Sequence, residues 1–175
     1  MRIRQENVKK ALDKFARTVR KSSRANLTRK KIGDTKKLYN SLDYDLKVHK
    51  QSFSLSFMME DYGAFKDRGV KGVKSSKKAP ASPYQFGTGT GKKGGLTKAI
   101  DKWVRRNRIQ FRTKKGRFTT YKNTSFLIRR SIWNTGLKTT NFFTKPFEDN
   151  FKKLPNQIVE SYGLDVINFL GFTTK

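Results

Sequence analysis

Residues 52–72, SFSLSFMMEDYGAFKDRGVKG, contain the change of pattern that decides the fold. In the first half, apolar side chains alternate with mostly serine, and one side of the chain carries Phe53, Leu55, Phe57 and Met59. A period of two is typical of a strand with one buried face. Glu60 and Asp61 then stand where a helix would begin, and Gly69 can adopt the left-handed conformation that ends one. The stretch predicts a strand, one or two helical turns and a glycine stop.

The preceding run, residues 38–50, predicts a partner for this strand. Its apolar side chains alternate with charged ones at Leu42, Tyr44, Leu46 and Val48. A short polar link at Gln51 and Ser52 separates the two runs. Two alternating runs joined in this way predict an antiparallel hairpin, which we expect to form the sheet on which the helices pack.

Helical spacing recurs on both sides of this hairpin. Residues 6–27 place apolar side chains on one stripe and lysines and arginines on the other, with only Glu6 and Asp13 as local counter-charge. That basic face is either solvated or close to an anion. Further helices are predicted over 96–104, from a cap at Ser125 or Thr124 to Gly136, and from 144–146 onward. Pro155 should bend or break the last one near Phe151, and the apolar residues beyond Gly163 should bury on this core or on a partner.

The length and composition indicate one core with appendages, since the chain has 175 residues of which 34% are hydrophobic. The fold class we predict is α+β: an antiparallel sheet packed by several helices, with a long N-terminal helix, an extended loop and a C-terminal helical extension. The predicted segments are a basic helix (1–33), an α+β core (34–145) and the extension (146–175), forming one structural domain overall.

The charge of the chain is unevenly distributed. The formal net charge is +28, and residues 102–145 contain thirteen basic residues and no acid. Residues 148–175 contain four acids and three bases. Such a surface attracts polyanions or acidic proteins. The chain has no cysteine, which excludes disulfides and thiolate metal sites, and we find no apolar run of membrane-spanning length and no signal peptide.

Residues 70–95 predict a long loop or arm, because glycine, serine, lysine and proline dominate them. Tyr84 and Phe86 favour an arm that docks on a neighbouring subunit, and a disordered linker is the alternative. The glycines of GTGTGKKGG lack the full Walker spacing, so nucleotide binding is not expected.

A basic segment follows, in which cationic side chains are interleaved with Ile109, Phe111 and Phe118. The sequence Lys114-Lys115-Gly116 predicts a hairpin tip. The cations could contact nucleic-acid phosphates, or the aromatic side chains could pack inward while the charges face water. The residues that we expect to face DNA or an acidic partner are Arg105, Arg106, Arg108, Arg112, Lys114, Lys115 and Arg117.

The sequence contains no strong catalytic motif. His49 is the single histidine, so no histidine pair is available for a metal. Asp43 and Asp45 project on one face of the predicted strand, and Asp45 with Lys47 matches half of a nuclease motif whose other half would be Asp34. Alternatively, the two acids neutralise neighbouring lysines. We expect no catalytic, metal or cofactor site and no enzyme activity.

The order of these motifs resembles the neck or tail-completion proteins of tailed bacteriophages, small α+β subunits that form a ring between portal and tail. The resemblance is carried by a strand running into MEDYGAFKDRGVKG (59–72), an aromatic and glycine loop, and GLTKAIDKWVRRNRI (95–109). It covers residues 38–143 and is sharpest over 62–70. The basic N-terminal helix and the longer C-terminal extension depart from the family pattern.

The resemblance implies a structural subunit of the neck, or head-tail connector, which joins portal to tail and leaves a channel for the genome. It implies a ring of 6 or 12 copies, portal, adaptor and tail proteins as partners, transient nonspecific contact with DNA, and assembly into the virion in the host cytoplasm. Tyr84 and Phe86 would belong to the crossing arm. The residues expected in the core or at the ring interface are Phe57, Met59, Tyr62, Phe65 and Trp103.

Two alternatives belong to other functional classes. The main one is a nonspecific nucleic-acid-binding protein of ribosomal or nucleoid type. A metal-dependent nuclease is the other.

Overall fold

The computed structural model describes residues 5–32, 36–49, 52–88 and 95–173. Within them it contains seven helices and one antiparallel sheet, which confirms the predicted α+β class. In chain order the elements are α1 (Glu6–Arg29), α2 (Lys37–Ser41), β1 (Asp43–Val48), β2 (Phe53–Met58), α3 (Tyr62–Arg68), α4 (Gly95–Arg106), α5 (Tyr121–Thr135), α6 (Thr144–Phe151) and α7 (Leu154–Thr173).

The chain divides into two compact units. The first unit comprises residues 1–63 and 141–175, and the second unit comprises residues 64–140. This division cuts across the three segments predicted from the sequence, because the first unit joins both ends of the chain to the hairpin. Contacts between distant ends leave no local pattern, so sequence order alone did not indicate this grouping.

The predicted hairpin is present in the first unit. Strands β1 and β2 pair antiparallel, with Asp43 opposite Met58 and Val48 opposite Phe53. The backbone N–H of His49 donates to the carbonyl of Ser52 at 2.9 Å, next to the connection that joins the two strands. Gln51, in the predicted link, lies outside the described residues. A two-stranded sheet is marginal by itself, so it depends on the helices packed against it.

Helix α1 supplies the main core of the first unit. Its apolar stripe buries Phe15, whose ring lies edge-on to Phe57 at 6.3 Å and to Phe147 at 5.7 Å. Phe57, predicted for the core or the ring interface, is half-buried and packs against this cluster. The other buried members of this cluster are Val8, Leu12, Val19 and Leu154.

A second cluster lies at the other end of α1. Leu27, Leu38 and Phe142 are buried together, and Met59 packs against them. Phe142 has no exposed surface. Met59, predicted as a core or interface residue, thus contributes to the core of the first unit.

The N-terminus of α1 is capped from the far end of the chain. Asp165 of α7 is 3% exposed. Its Oδ1 accepts hydrogen bonds from the Asn7 backbone N–H at 3.0 Å and from Asn7 Nδ2 at 2.8 Å, and its Oδ2 accepts from the Val8 N–H at 3.2 Å. A carboxylate at this place satisfies unpaired N–H groups and complements the helix dipole. Asp165 therefore attaches the C-terminal helix to α1.

The break between the last two helices follows the prediction for Pro155. Helix α6 ends at Phe151, and α7 begins at Leu154 with proline as its second residue. Proline lacks an N–H, which is unpaired in the first turn of a helix anyway.

The second unit is organised around backbone contacts near its glycines. Gly69 ends α3 at a φ of +73°, as predicted. The next residue, Val70, forms a bridge with Leu137, which follows the end of α5. A Cβ on Gly72 would lie 2.2 Å from the Asn134 carbonyl oxygen, so only glycine fits there without a shift. Helices α4 and α5 pack together in this unit, and Val104 of α4 is fully buried.

The start of α5 corrects the sequence analysis. The cap is Thr120, whose hydroxyl accepts a hydrogen bond from the Asn123 N–H at 3.2 Å, and not Ser125 or Thr124. Thr124 is buried within the helix, and its hydroxyl accepts from the Phe111 N–H at 3.2 Å. This hydroxyl is used to hold the preceding segment, a role that a local capping pattern does not reveal. Gly136 ends α5 at a φ of +83°, as predicted.

Candidate interaction surfaces

The basic segment forms the predicted hairpin tip. Arg112 bridges to Phe118, and the Thr113 N–H donates to the Arg117 carbonyl at 2.8 Å. The Gly116 N–H donates back to the Thr113 carbonyl at 2.9 Å, with Gly116 at a φ of +79°. All seven cations predicted to face DNA or an acidic partner have exposed side chains.

The aromatic side chains of this hairpin are also exposed. Phe118 is 61% exposed and Phe111 is 40% exposed. The Arg112 guanidinium lies over the Phe118 ring, 4.5 Å from its centroid. The interpretation in which both aromatics pack inward is therefore wrong. The segment presents cations and ring faces to solvent together, which is the combination that single-stranded nucleic-acid sites use.

The described part of the long loop, residues 70–88, packs within the second unit. The Tyr84 ring meets the Phe65 ring edge-on at 4.6 Å, and the Phe86 ring stacks on Trp133 at 5.5 Å. The Lys71 N–H donates to the Tyr84 carbonyl at 2.8 Å. Both predicted arm residues thus have partners in their own chain. Docking on a neighbouring subunit stays a prediction, and residues 89–94 lie outside the described part.

The five residues predicted for the core or ring interface fall into two groups. Phe57 and Met59 pack in the core of the first unit. Tyr62, Phe65 and Trp103 are each about two-fifths exposed, so their rings remain available for contacts. Burial, with a smaller contribution from Glu60, raises the pKa of Tyr62.

Helix α7 exposes an apolar surface that we call the α7 stripe, formed by Val159, Gly163, Ile167 and Leu170. Val159 is 73% exposed and Ile167 is 64% exposed. At about 100° per residue these positions share one side of the helix, opposite Leu154 and Asp165, which are buried. The apolar residues beyond Gly163 were expected to bury on this core or on a partner, and of these Ile167 and Leu170 are exposed in the chain itself. Burial on a partner stays a prediction.

The α7 stripe is also nearly free of charge. Helix α7 contains Glu160 and Asp165 but no lysine or arginine, in a chain of net charge +28. Apart from the adjacent residues and the backbone of its own helix, a Cβ built on Gly163 would meet no atom of the described residues within 4 Å, so the middle of the stripe is open. Within the residues described, no helix combines the length and apolar content of a membrane span.

Asp43 and Asp45, the acids considered for metal-dependent chemistry, each interact with a cationic side chain. Asp43 Oδ1 accepts a hydrogen bond from Arg20 Nη1 at 2.6 Å, and this bond lowers the pKa of Asp43. Asp45 lies 3.5 Å from Lys47 Nζ. His49 is exposed at the end of β1. The described part of the chain contains no group of three or more histidines, cysteines or acids that could hold a metal, and Asp34 lies outside it.

No protein-family model matches the chain, and neither the curated proteins nor the solved structures include a significant match to it.

Proposed function

We propose that the protein is a structural subunit of an oligomeric ring in the neck, or head-tail connector, of a tailed bacteriophage. In this role it joins portal to tail and leaves a channel for genome passage. Its partners would be other copies of the chain, in a ring of 6 or 12, together with portal, adaptor and tail proteins.

The α7 stripe is the observation that carries the proposal. Contiguous exposed apolar surface on a soluble protein marks a contact with another molecule. Copies of a chain with net charge +28 repel each other, so they can meet closely only where cations are few. Helix α7, which has no lysine or arginine, offers such a place. A neighbouring copy of the chain is therefore the occupant that we assign to the α7 stripe.

A second requirement of a ring is that unlike surfaces meet. Closed rings use heterologous contacts, in which one patch of a subunit binds a different patch of the next. The second unit exposes its own apolar side chains, including Trp133 on α5 and Trp103 on α4. Either could receive an α7 stripe from the adjacent copy. The motif order that resembles neck proteins supports the viral setting.

The cationic surface suits a subunit that lies beside DNA. The basic residues between 105 and 117 are exposed, and long cationic side chains contact phosphates without reading sequence. Nonspecific contact is appropriate for a duplex that passes through a channel. The same surface supports a second candidate, a free nucleic-acid-binding protein, because Phe118 and Arg112 are presented together on an exposed hairpin.

The solution mass distinguishes these candidates. We expect the 20.3 kDa chain to form a ring-sized species in sedimentation velocity, by itself or upon addition of portal. Val159→Asp with Ile167→Asp should abolish that species, because charges on the α7 stripe would have to be buried. Val48→Asp with Val73→Asp changes two exposed valines elsewhere and should leave assembly intact.

Two results would contradict the proposal. One is a chain that stays monomeric with portal and tail proteins present. The other is an α7 variant that assembles as well as the wild-type chain. Tight binding of random duplex DNA by such a monomer would favour the second candidate.

A further inference from the structure

Helix α1 of the first unit carries a second cationic surface, in addition to the segment 105–117 of the second unit. A groove with a volume of about 450 Å³ runs along its exposed face and is bordered by Tyr39 of α2. We call it the α1 groove, and its polar lining comprises Arg17, Arg20, Lys21, Arg24, Thr28 and Tyr39. Arg17, Lys21 and Arg24 follow one another at spacings of four and three residues, which places them in a row along one helix face.

Contacts with Leu42 and Tyr39 hold the Arg24 guanidinium in place, but its Nε–H has no hydrogen-bond acceptor within the described residues. Its Nη2 donates to the Leu42 carbonyl at 2.8 Å, and its guanidinium lies over the Tyr39 ring, 5.1 Å from the centroid. Its Nε is buried and has no hydrogen-bond partner within the described residues. A buried N–H without an acceptor is unfavourable, so a small rotation toward an anion in the groove would improve its hydrogen bonding.

Arg20 and Arg17 also have partners within the chain before any ligand arrives. Arg20 pairs with Asp43 at 2.6 Å and lies over the Tyr44 ring at 5.1 Å. Arg17 pairs with Asp13 at 2.8 Å. Cations that are already ordered lose less conformational freedom upon binding than mobile side chains do.

The charges of the groove are only partly compensated. Asp13 pairs with Arg17, and Asp43 pairs with Arg20 and also attracts Arg24 at longer range. Lys21 has no ion pair within the described residues. The face therefore retains positive charge that repels itself unless an anion is bound.

We propose that the α1 groove binds the phosphodiester backbone of nucleic acid without reading its sequence. Guanidinium groups match phosphate oxygens in a forked geometry, and a row of cations beside an aromatic ring is how nonspecific sites follow a strand. A nucleic-acid strand carries one negative charge per nucleotide. Its phosphates therefore form a regular row that a regular row of cations can pair with. An acidic peptide places its carboxylates on flexible side chains and matches the row less well. This site goes beyond the proposed ring, because it belongs to each copy of the chain by itself.

Fluorescence anisotropy with a labelled random-sequence 20-base-pair duplex tests the groove. The variant Arg17→Ala/Lys21→Ala removes two exposed cations, and Lys152→Ala/Lys153→Ala removes the same charge from the connection between α6 and α7. We expect the groove variant to lose about tenfold in affinity, and its slope of log K against log salt to become shallower by about 2, since each phosphate contact contributes about 0.9. The control should change affinity less than about twofold.

A second measurement locates the contact. The side-chain Nε–H resonances of Arg20 and Arg24 should shift when the wild-type chain is saturated with the duplex. Arg24→Lys keeps the charge but loses the fork, so we expect about threefold weaker binding with an unchanged salt slope.

Three results would overturn the assignment to nucleic acid. They are equal loss of affinity in the groove and control variants, unshifted Arg20 and Arg24 resonances, and tighter binding of a polyglutamate peptide of matched charge. Circular dichroism of both variants checks that they fold. The groove variant should still form the ring in sedimentation, so failure of this site and failure of the ring give different results.

Discussion

Among the described residues, the first unit buries ten apolar side chains, from Val8 to Leu154, whereas the second unit buries only Val70, Ala79 and Val104. The second unit depends more on backbone hydrogen bonds for its stability. The Val70 N–H donates to the Leu137 carbonyl at 3.1 Å, and the Leu137 N–H donates back at 2.8 Å. Burial scales with apolar area, while an exchanged hydrogen bond gives little net free energy. The second unit should therefore open more readily than the first.

The largest expected effect comes from removing a ring from the first unit. Phe15→Ala should reduce the free energy of unfolding by about 3–5 kcal/mol, because it leaves a cavity between α1, the hairpin and α6. Urea denaturation of the purified variant measures this loss. Phe118→Ala removes an equally large ring that is 61% exposed, and its effect should stay within about 0.5 kcal/mol. Equal losses in both variants would contradict the placement of the core.

Substitution of Gly72 tests the backbone contacts that hold the second unit together. Gly72→Ala would bring a Cβ within 2.2 Å of the Asn134 carbonyl oxygen and 2.6 Å of the Gly136 N–H nitrogen, so the backbone must shift. We expect a cost of about 1–3 kcal/mol. Hydrogen exchange should accelerate at the amides of Val70 and Leu137 and remain unchanged in α1. Gly95→Ala is the control, because its Cβ would meet no atom of the described residues within 4 Å apart from adjacent residues and its own helix backbone. Unchanged exchange in Gly72→Ala would refute the backbone account.

The attachment of α7 to α1 is expected to have a smaller effect. Asp165→Ala removes the acceptor for three hydrogen bonds at the N-terminus of α1 and should cost about 1–2 kcal/mol. Thermal unfolding followed by circular dichroism measures it. Asp149→Ala, an exposed acid on α6, should leave the transition in place. A larger loss in the control than in Asp165→Ala would exclude the cap.

The smallest expected effect concerns pH. The hydrogen bond from Arg20, followed by that from the Tyr44 N–H, holds the pKa of Asp43 below its ordinary value. The stabilisation is therefore complete above the unfolded pKa of about 3.9 and is lost as pH falls through the folded value. An NMR titration of Arg20→Gln should show the pKa of Asp43 moving back up. An unmoved pKa would mean that the ion pair does not form in solution.

Local patterns in the sequence predicted the elements that depend on nearby residues. Alternation over 53–59 predicted the second strand of the hairpin, and helical spacing predicted α1. Gly69 and Gly136 predicted where α3 and α5 end, and Pro155 predicted the break between α6 and α7. In each case the physical requirement, such as a positive φ or a missing N–H, belongs to the residue itself.

The features that were missed depend on distant partners. Thr124 looked like a cap, but its hydroxyl is used by Phe111, and Thr120 caps α5 instead. Asp165 caps α1 through Asn7, which lies 158 residues earlier in the chain, and no spacing rule indicates such a contact. The α1 groove was predicted only as a basic face, because its border, Tyr39, comes from another helix.

Cryo-electron microscopy of the phage particles that the proposal predicts to contain this chain tests the central claim most directly. We predict an annular density between portal and tail into which repeated copies of the chain fit, with each α7 stripe covered by a neighbouring copy. Virions that lack this density, and that also lack the chain by mass spectrometry, would contradict the account.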